Sequence, residues 1–208
     1  MLFRRVVNAW FLSPYLSQTI RQMLFTTGDP VRFGTLYLSL EEVQKKQIPG
    51  SLAECGVYKG SVSKFVHTIL PDRKLYLFDT FEGFDLRDSD TQGDNRFKDT
   101  SEEAILNMFN NNENIVVRKG FFPTTTAGLE NETFAIVLID LDKYEPTVAA
   151  LEFFYSRMSY GGFIFVHDYT SPESNWACRR ALDAFLAGRP ESPLMIPDGW
   201  GTAFFRKT

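Results

Sequence analysis

The chain has 208 residues, of which 44% are hydrophobic and 23% are charged, which is enough apolar material for one folded domain. Its formal net charge of -4 gives no overall positive field, so we expect neither nucleic acid nor acidic lipid as a partner. The two cysteines, Cys55 and Cys178, have no second ligand at a zinc-site spacing, which predicts reduced thiols and a cytoplasmic protein.

Residues 1–50 are predicted to form a helical N-terminal segment that ends at Pro49-Gly50. Apolar residues recur there at helix-like intervals, as in Leu36, Leu38, Leu40 and Val43. The opening MLFRRVVNAWFLSPYL lacks a small-residue cleavage pattern, and no stretch reaches the roughly 18 apolar residues of a membrane span. We therefore expect an aromatic-rich packing segment without stable membrane insertion. It is a candidate cap, a wall of the acceptor site or a contact surface of a homodimer.

From Ser51 onward, short β-rich runs alternate with helical stretches. The β-rich runs are SLAECGV, KLYLFD, NIVVRKG, TFAIVLIDLD and GGFIFVHDY, and the helical stretches are GSVSKFVHTIL, SEEAILNMFNN, EPTVAALEFFYSRM and WACRRALDAFLAG. This alternation predicts an α/β fold over residues 51–208, with a mostly parallel sheet covered on both faces. Pro-Asp-Gly at 197–199 favours a hairpin, so an antiparallel pair is expected to close the sheet. The polar segment 86–100 is interpreted as a mobile loop.

The first strand-to-helix junction carries two glycines. Ligands of an open parallel sheet bind beyond the carboxyl ends of its strands, so the junctions are where we look for chemistry. Gly56 and Gly60 let the backbone turn tightly against a ligand, and the following helix offers free N–H groups. The spacing GxxxG differs from the dinucleotide fingerprint GxGxxG, which argues against an NAD-dependent oxidoreductase. On its own the pattern fits an ordinary structural turn equally well.

Acidic residues and a histidine close three further strands. Asp79 ends the second strand, where an acid can accept hydrogen bonds from ribose hydroxyls, although aspartate also favours helix N-caps. Asp140 and Asp142 follow FAIVLI, and on an extended backbone residues two apart point the same way. Two like charges repel unless a cation or proton lies between them, and helix capping would explain one acid but hardly both. His167 and Asp168 end what we expect to be the neighbouring strand, so the set suits a divalent ion.

Five motifs in this order, AECGVYKGS, LFDTFEGF, KGFFPTT, IDLDKYEPT and GGFIFVHDY, resemble the signature of the macrocin O-methyltransferase family. The resemblance covers roughly residues 45–190. It implies a Rossmann-like class I methyltransferase fold, S-adenosylmethionine as cofactor, and methyl transfer to sugar hydroxyls of natural products with the help of a divalent metal. The residues that it implies against the methionine part of the cofactor are Glu54, Gly56, Val57, Tyr58, Gly60 and Ser61.

The resemblance also implies roles for the other junctions. Asp79 would hold the ribose, and Gly120 and Phe121 would lie near the adenine, although the Gly-Phe-Phe-Pro loop fits a hydrophobic lid or simple core equally well. Asp140 and Asp168 would bind the metal and Asp142 would be the general base.

Two positions depart from the family's pattern. His167 stands where the family usually has an acid, and it could be a ligand, a base or a gating residue. As a ligand, histidine is more at home on Mn²⁺, Fe²⁺ or Zn²⁺, which puts a strict preference for Mg²⁺ in doubt. Lys143 replaces a commonly apolar residue and is either a base with a lowered pKa or a solvated lysine. His67, inside a helical pattern, is interpreted as a surface or packing residue.

The sequence therefore predicts an S-adenosylmethionine-dependent O-methyltransferase, assisted by Mg²⁺ or Mn²⁺, that acts on a hydroxyl of a sugar or glycosylated small molecule. The alternative is a catalytically silent S-adenosylmethionine-binding module or subunit, which would have no need of Asp140, Asp142 and Asp168 on the acceptor side.

Overall fold

The computed structural model describes residues 15–88 and 94–208. Its helices are α1 (Gln18–Thr26), α2 (Pro30–Lys45), α3 (Ser61–Ile69), α4 (Glu102–Leu106), α5 (Tyr144–Tyr155) and α6 (Ala177–Leu186), with one turn of 3₁₀ helix at Thr124–Thr126. Its strands are β1 (Ser51–Cys55), β2 (Leu75–Asp79), β3 (Ile115–Lys119), β4 (Phe134–Ile139), β5 (Met158–Val166), β6 (Leu194–Ile196) and β7 (Thr202–Arg206).

Within the described residues the strands form one sheet in the order β3-β2-β1-β4-β5-β7-β6. Strands β1 to β5 pair in parallel, whereas β7 pairs antiparallel with both β5 and β6. The predicted mostly parallel sheet and its antiparallel C-terminal hairpin are confirmed. The chain leaves β1 toward β2 on one side and later returns to β4 on the other, which opens a crevice at the carboxyl ends of β1 and β4.

The register of the sheet brings the four junctions side by side. Cys55 at the end of β1 pairs with Phe78 of β2 and with Ile139 of β4, and Ile139 pairs with Val166 of β5. The residues that follow therefore leave the sheet at one level, and they are Gly56, Asp79, Asp140 and His167.

Both faces of the sheet are covered by helices. Helices α1, α2 and α3 pack on one face, where Leu24, Phe33 and Leu40 share a core with strand residues such as Leu77 and Leu138. Helices α5 and α6 cover the other face around Phe154 and Leu182, against Phe78 and Val166. The N-terminal helices thus belong to the same core as the sheet, in addition to any role as a cap or dimer contact.

Several local predictions have a clear outcome. The stretch SEEAILNMFNN forms a helix of only five residues, α4, which ends at Leu106 with Asn107 as its C-cap. Leu36 and Leu40 are buried but Leu38 is 47% exposed, as the helical period requires. The segment 86–100 contains neither helix nor strand where it is described, and its residues 89–93, like residues 1–14, lie outside the described residues. Over the described ranges, the helices all fall short of the length and apolarity needed to cross a bilayer.

Candidate active site

A cavity of about 460 Å³ lies at the carboxyl edge of β1, β2, β4 and β5. Its wall includes Gly56 and Asp79 on one side and Asp140, His167 and Asp168 on the other. The strand ends that the sequence singles out therefore face a single space, large enough for a small ligand.

Gly56 lies in direct contact with the backbone of Asp140. Its φ is +85°, and a Cβ added there would lie 1.9 Å from the carbonyl oxygen of Asp140. Glycine is required at this position for both conformational and steric reasons. The Gly56 N–H donates to the carbonyl of Phe78 (2.9 Å), and the Asp140 N–H donates to the carbonyl of Cys55 (2.8 Å).

Asp79 organises the turn after β1 by accepting backbone hydrogen bonds. Its Oδ2 accepts from the N–H groups of Val57 (2.7 Å) and Tyr58 (2.8 Å), and its Oδ1 accepts from the N–H of Phe81 (2.7 Å). A carboxylate has about four acceptor sites, so the side chain keeps capacity for a ribose hydroxyl. The ribose role remains a prediction, and the helix N-cap alternative is replaced by this bridge between two loops.

The predicted cofactor residues fall into two groups. Gly56, Tyr58, Asp79, Gly120 and Phe121 line the cavity. Four others lie off its wall: Glu54, Val57, Gly60 and Ser61.

Glu54 lies off the cavity wall because its side chain is directed toward α3. It is buried and its carboxyl group is hydrogen-bonded to the Ser63 hydroxyl of α3. Burial raises the pKa of Glu54 to about 8, which makes it a neutral hydrogen-bonding group at pH 7. Gly60, with φ +68°, forms the N-cap of α3.

Asp140, His167 and Asp168 form a compact cluster of potential ligands. Each residue offers one ligand atom, and these atoms lie within 4.8 Å of one another. His167 Nδ1 is 3.1 Å from Asp140 Oδ1 and 3.3 Å from Asp168 Oδ1. Two ligands at right angles, each about 2.1 Å from an octahedral ion, lie about 3 Å apart, so these spacings suit neighbouring ligands of one divalent ion. The same spacings suit hydrogen bonds from a protonated His167, and the cluster fits both states.

Electrostatics favour the charged form of His167 and the neutral form of Asp142. Burial alone would lower the pKa of His167, but the charge of Asp140 and hydrogen bonds to Asp140 and Asp168 raise it to about 10. Burial raises the pKa of Asp142 well above its usual range, and so do the charges of Asp140 and Asp168. The cluster therefore holds protons where a cation would otherwise lie.

Asp142 lines the cavity with a backbone conformation different from the one that the sequence suggests. The expectation of an extended backbone is wrong, because Asp142 has φ +60° and lies in the left-handed region. Aspartate tolerates that conformation better than most residues. Asp142 still lines the cavity and shares a hydrogen bond with Asp168.

Arg32 of α2 is a site residue that sequence reasoning missed. Its Nη2 lies 2.9 Å from Asp140 Oδ2, and the two residues are 108 positions apart in the chain. Burial alone would raise the pKa of Asp140, but the charges of His167 and Arg32 outweigh it and hold that pKa well below its usual range. No motif pointed to Arg32, although Asp29-Pro30 before it is a recognisable helix start.

The chain matches the macrocin O-methyltransferase (TylF) family over residues 22–207. It belongs to that family. The chain is therefore an enzyme, an S-adenosylmethionine-dependent O-methyltransferase, and the resemblance found in its five motifs is confirmed.

Similar proteins include two curated relatives from Streptomyces. The 8-demethyl-8-(2,3-dimethoxy-alpha-L-rhamnosyl)-tetracenomycin-C 4'-O-methyltransferase of Streptomyces olivaceus is 29% identical over 196 residues, which cover 85% of this chain and 73% of the relative. The demethyldecarbamoylnovobiocin O-methyltransferase of Streptomyces niveus is 29% identical over 166 residues, covering 71% of this chain and 62% of the relative. The solved O-methyltransferase NovP has the same fold, with a TM-score of 0.73 and 24% identity over 86% of this chain and 80% of NovP.

The position that departs from the family's usual apolar residue, Lys143, lies beside the cavity wall. Its Nζ is 3.7 Å from Asp94 Oδ2 and 4.5 Å from the centre of the Phe84 ring. Only 13% of its side chain is exposed, which argues against a freely solvated lysine, and its role as a base stays a prediction. His67 is a packing residue: it is buried, contacts the Phe109 ring edge-on, and its Nε2 lies 3.0 Å from the carbonyl of Asn111.

Proposed function

We propose that this methyltransferase transfers the methyl group of S-adenosylmethionine to a hydroxyl of a sugar or glycosylated small molecule, assisted by a divalent ion. The observation that carries the proposal is that the glycine turn and the acid cluster face one cavity and touch through Gly56 and Asp140. The sugar acceptor is supported by the activity of the Streptomyces olivaceus relative, which acts on a rhamnosyl-bearing compound.

The cofactor side of the proposal uses the wall around Gly56 and Asp79. The turn that begins at Gly56 would contact the methionine part, Asp79 would accept from the ribose hydroxyls, and Gly120 and Phe121 would lie against the adenine. The support is that these four residues line the same cavity, while Asp79 fixes the turn through two backbone N–H groups. Glu54, Val57, Gly60 and Ser61 would act indirectly by shaping the turn and the start of α3.

The acceptor side uses the ligand cluster and Asp142. Asp140, His167 and Asp168 would hold Mn²⁺ or Mg²⁺, and their mixed nitrogen and oxygen donors favour Mn²⁺. A bound ion would lower the pKa of the acceptor hydroxyl. The acceptor's hydroxyl oxygen would take the methyl group as the carbon–sulfur bond breaks, which would leave neutral S-adenosylhomocysteine, and the hydroxyl proton would pass to a base.

Asp142 is the proposed base. A carboxylate whose pKa is raised by burial and by neighbouring acids is a stronger proton acceptor than an exposed aspartate, provided that it is deprotonated when the acceptor binds. His167 is the second candidate base only if it is not a ligand, because an imidazole that binds an ion through Nδ1 keeps its proton on Nε2 and has no lone pair left to accept another.

The test is calorimetric titration of S-adenosylhomocysteine and, separately, of Mn²⁺ into the wild type, Asp140→Asn and Asp72→Asn. Asp72 is an exposed control acid before β2. We expect cofactor-product binding in all three proteins and Mn²⁺ binding lost only in Asp140→Asn. A wild type that binds the cofactor product but no Mn²⁺ would refute metal assistance, and one that binds neither would refute the proposed site. Mass spectrometry of a panel of glycosides and nucleotide sugars, incubated with S-adenosylmethionine, then tests the acceptor class.

We further propose a cytoplasmic homodimer. Leu194 and Met195 of the edge strand β6 are each 61% exposed, and exposed apolar side chains at a sheet edge favour association. The interface that the sequence suggests is the aromatic N-terminal segment, and residues 1–14 of it lie outside the described residues. A monomeric mass by light scattering would refute the dimer.

A further inference from the structure

Arg32 is held in a fixed position by the start of α2. Asp29 is the N-cap of that helix, and its Oδ1 accepts a hydrogen bond from the Arg32 N–H (3.0 Å). The other oxygen of Asp29 accepts from the N–H of Gly199 in the β6–β7 connection (3.3 Å), and Phe33 beside Arg32 is buried in the core. The first turn of α2 is therefore fixed both to the hairpin and to the sheet, which limits the directions available to the Arg32 side chain.

The two oxygens of Asp140 are divided between two cationic partners. Arg32 Nη2 lies 2.9 Å from Oδ2, and His167 Nδ1 lies 3.1 Å from Oδ1. Only 17% of the Arg32 side chain and 24% of the Asp140 side chain are exposed, so solvent screens this pair less than a surface pair. The guanidinium therefore holds Asp140 through Oδ2 and leaves Oδ1, the oxygen 3.1 Å from His167 Nδ1, on the side of the ligand cluster.

The guanidinium has a further electrostatic consequence. An ion on Oδ1 and the guanidinium on Oδ2 are separated by a single carboxylate group, and two positive charges so close repel each other. Arginine keeps its charge throughout the physiological pH range. Arg32 thus opposes the binding of a cation at this cluster, although it also holds Asp140, one of the cluster's ligands, in place.

We propose that Arg32 is a positioning residue of the active site, which holds Asp140 through Oδ2 with Oδ1 beside His167 and at the same time weakens the binding of the divalent ion. The inference rests on the proposed metal role of Asp140, His167 and Asp168. It also gives the N-terminal helical segment a part in the active site, because α2 supplies the charge.

The experiment compares Mn²⁺ affinity, measured by electron paramagnetic resonance, in the wild type, Arg32→Gln, Arg32→Lys and Lys64→Gln. Lys64→Gln makes the same change of net charge at an exposed position of α3. We expect Arg32→Gln to bind Mn²⁺ at least tenfold more tightly than the wild type. Arg32→Lys, which keeps the charge, and Lys64→Gln should bind within about threefold of the wild type. Affinity for S-adenosylhomocysteine and the melting temperature report whether each variant is folded.

The outcomes separate this inference from the proposed function. If the wild type binds Mn²⁺ and Arg32→Gln binds it equally well or more weakly, the charge of Arg32 does not oppose the ion and the inference is refuted while the metal site stands. If Arg32→Lys binds as tightly as Arg32→Gln, geometry rather than charge is responsible, and the inference is again refuted. If neither the wild type nor Arg32→Gln binds Mn²⁺ although both bind S-adenosylhomocysteine, the metal role itself fails together with the inference. Binding that appears only in Arg32→Gln would support it.

Discussion

Replacing Gly56 by alanine should damage the cofactor turn and the acid cluster together. The added Cβ would lie 1.9 Å from the carbonyl oxygen of Asp140, and atoms of this kind do not approach below 3.0 Å, so the two backbones would have to separate by about 1 Å. At φ +85° the side chain also costs about 1–2 kcal/mol. The separation weakens the hydrogen bonds from Gly56 to Phe78 and from Asp140 to Cys55, which contribute about 1 kcal/mol each. We expect a loss of about 3–4 kcal/mol in the free energy of unfolding, which lowers the melting temperature by about 10 °C.

Gly128→Ala is the matched control for this variant. Gly128 has φ +83°, but an added Cβ would meet nothing within 4 Å. The control should therefore lose only the conformational cost of about 1–2 kcal/mol and keep its affinity for S-adenosylhomocysteine. Gly56→Ala should bind S-adenosylhomocysteine at least tenfold more weakly by calorimetry. Equal melting temperatures for the two variants, with cofactor-product affinities within threefold, would refute the claim that this contact couples the turn to β4.

Three further predictions concern protons. The pKa of Glu54 is about 8 in the folded state and near 4.5 in the unfolded state, so between these values the folded state binds more protons and its stability falls as pH rises. Urea unfolding at pH 5, 6.5 and 8 should therefore show Glu54→Gln gaining stability relative to the wild type as pH rises. Mn²⁺ binding at pH 7 should release up to about two protons, from His167 and Asp142. Calorimetry in buffers of different ionisation enthalpy measures this release, and a release of zero would contradict protonated His167 and Asp142 in the free protein. Asp142→Asn should keep cofactor-product binding yet lose methyl transfer by about 100-fold or more, and retained activity would refute Asp142 as the base.

The sequence allowed the fold and the location of the site to be predicted for one physical reason. Parallel strands place their carboxyl ends at the same edge, so any residue just after a buried apolar run is brought to that edge without knowledge of the register. Gly56, Asp79, Asp140 and His167 all satisfy this condition. Side-chain direction was harder to predict: β1 is buried along its whole length, so no alternation of polar and apolar residues showed that Glu54 faces α3.

Arg32 lay beyond such reasoning because its partner is 108 residues away and no period or motif joins them. Its contact depends on how α2 crosses the sheet, which is set by the packing of Phe33, Leu36 and Leu40. Helix packing angles follow from the whole buried surface and not from a local pattern.

Left-handed backbone at the cavity explains why the extended backbone expected at Asp142 was wrong. Tyr58, Asp142 and Asp168 all have positive φ values, between 48° and 60°, and all three line the cavity. Such residues persist only where the surroundings hold them, as the Asp79 carboxylate holds the Tyr58 N–H. The same conformations direct the side chains of two acids into the cavity at strand ends, where an extended chain would direct only alternate residues inward. The backbone, held by Gly56 against β4 and by Asp79 across two loops, therefore sets the positions of the turn and the acids relative to one another. An in-line methyl transfer from a cofactor bound at the turn to an acceptor bound at the acids would require such an arrangement.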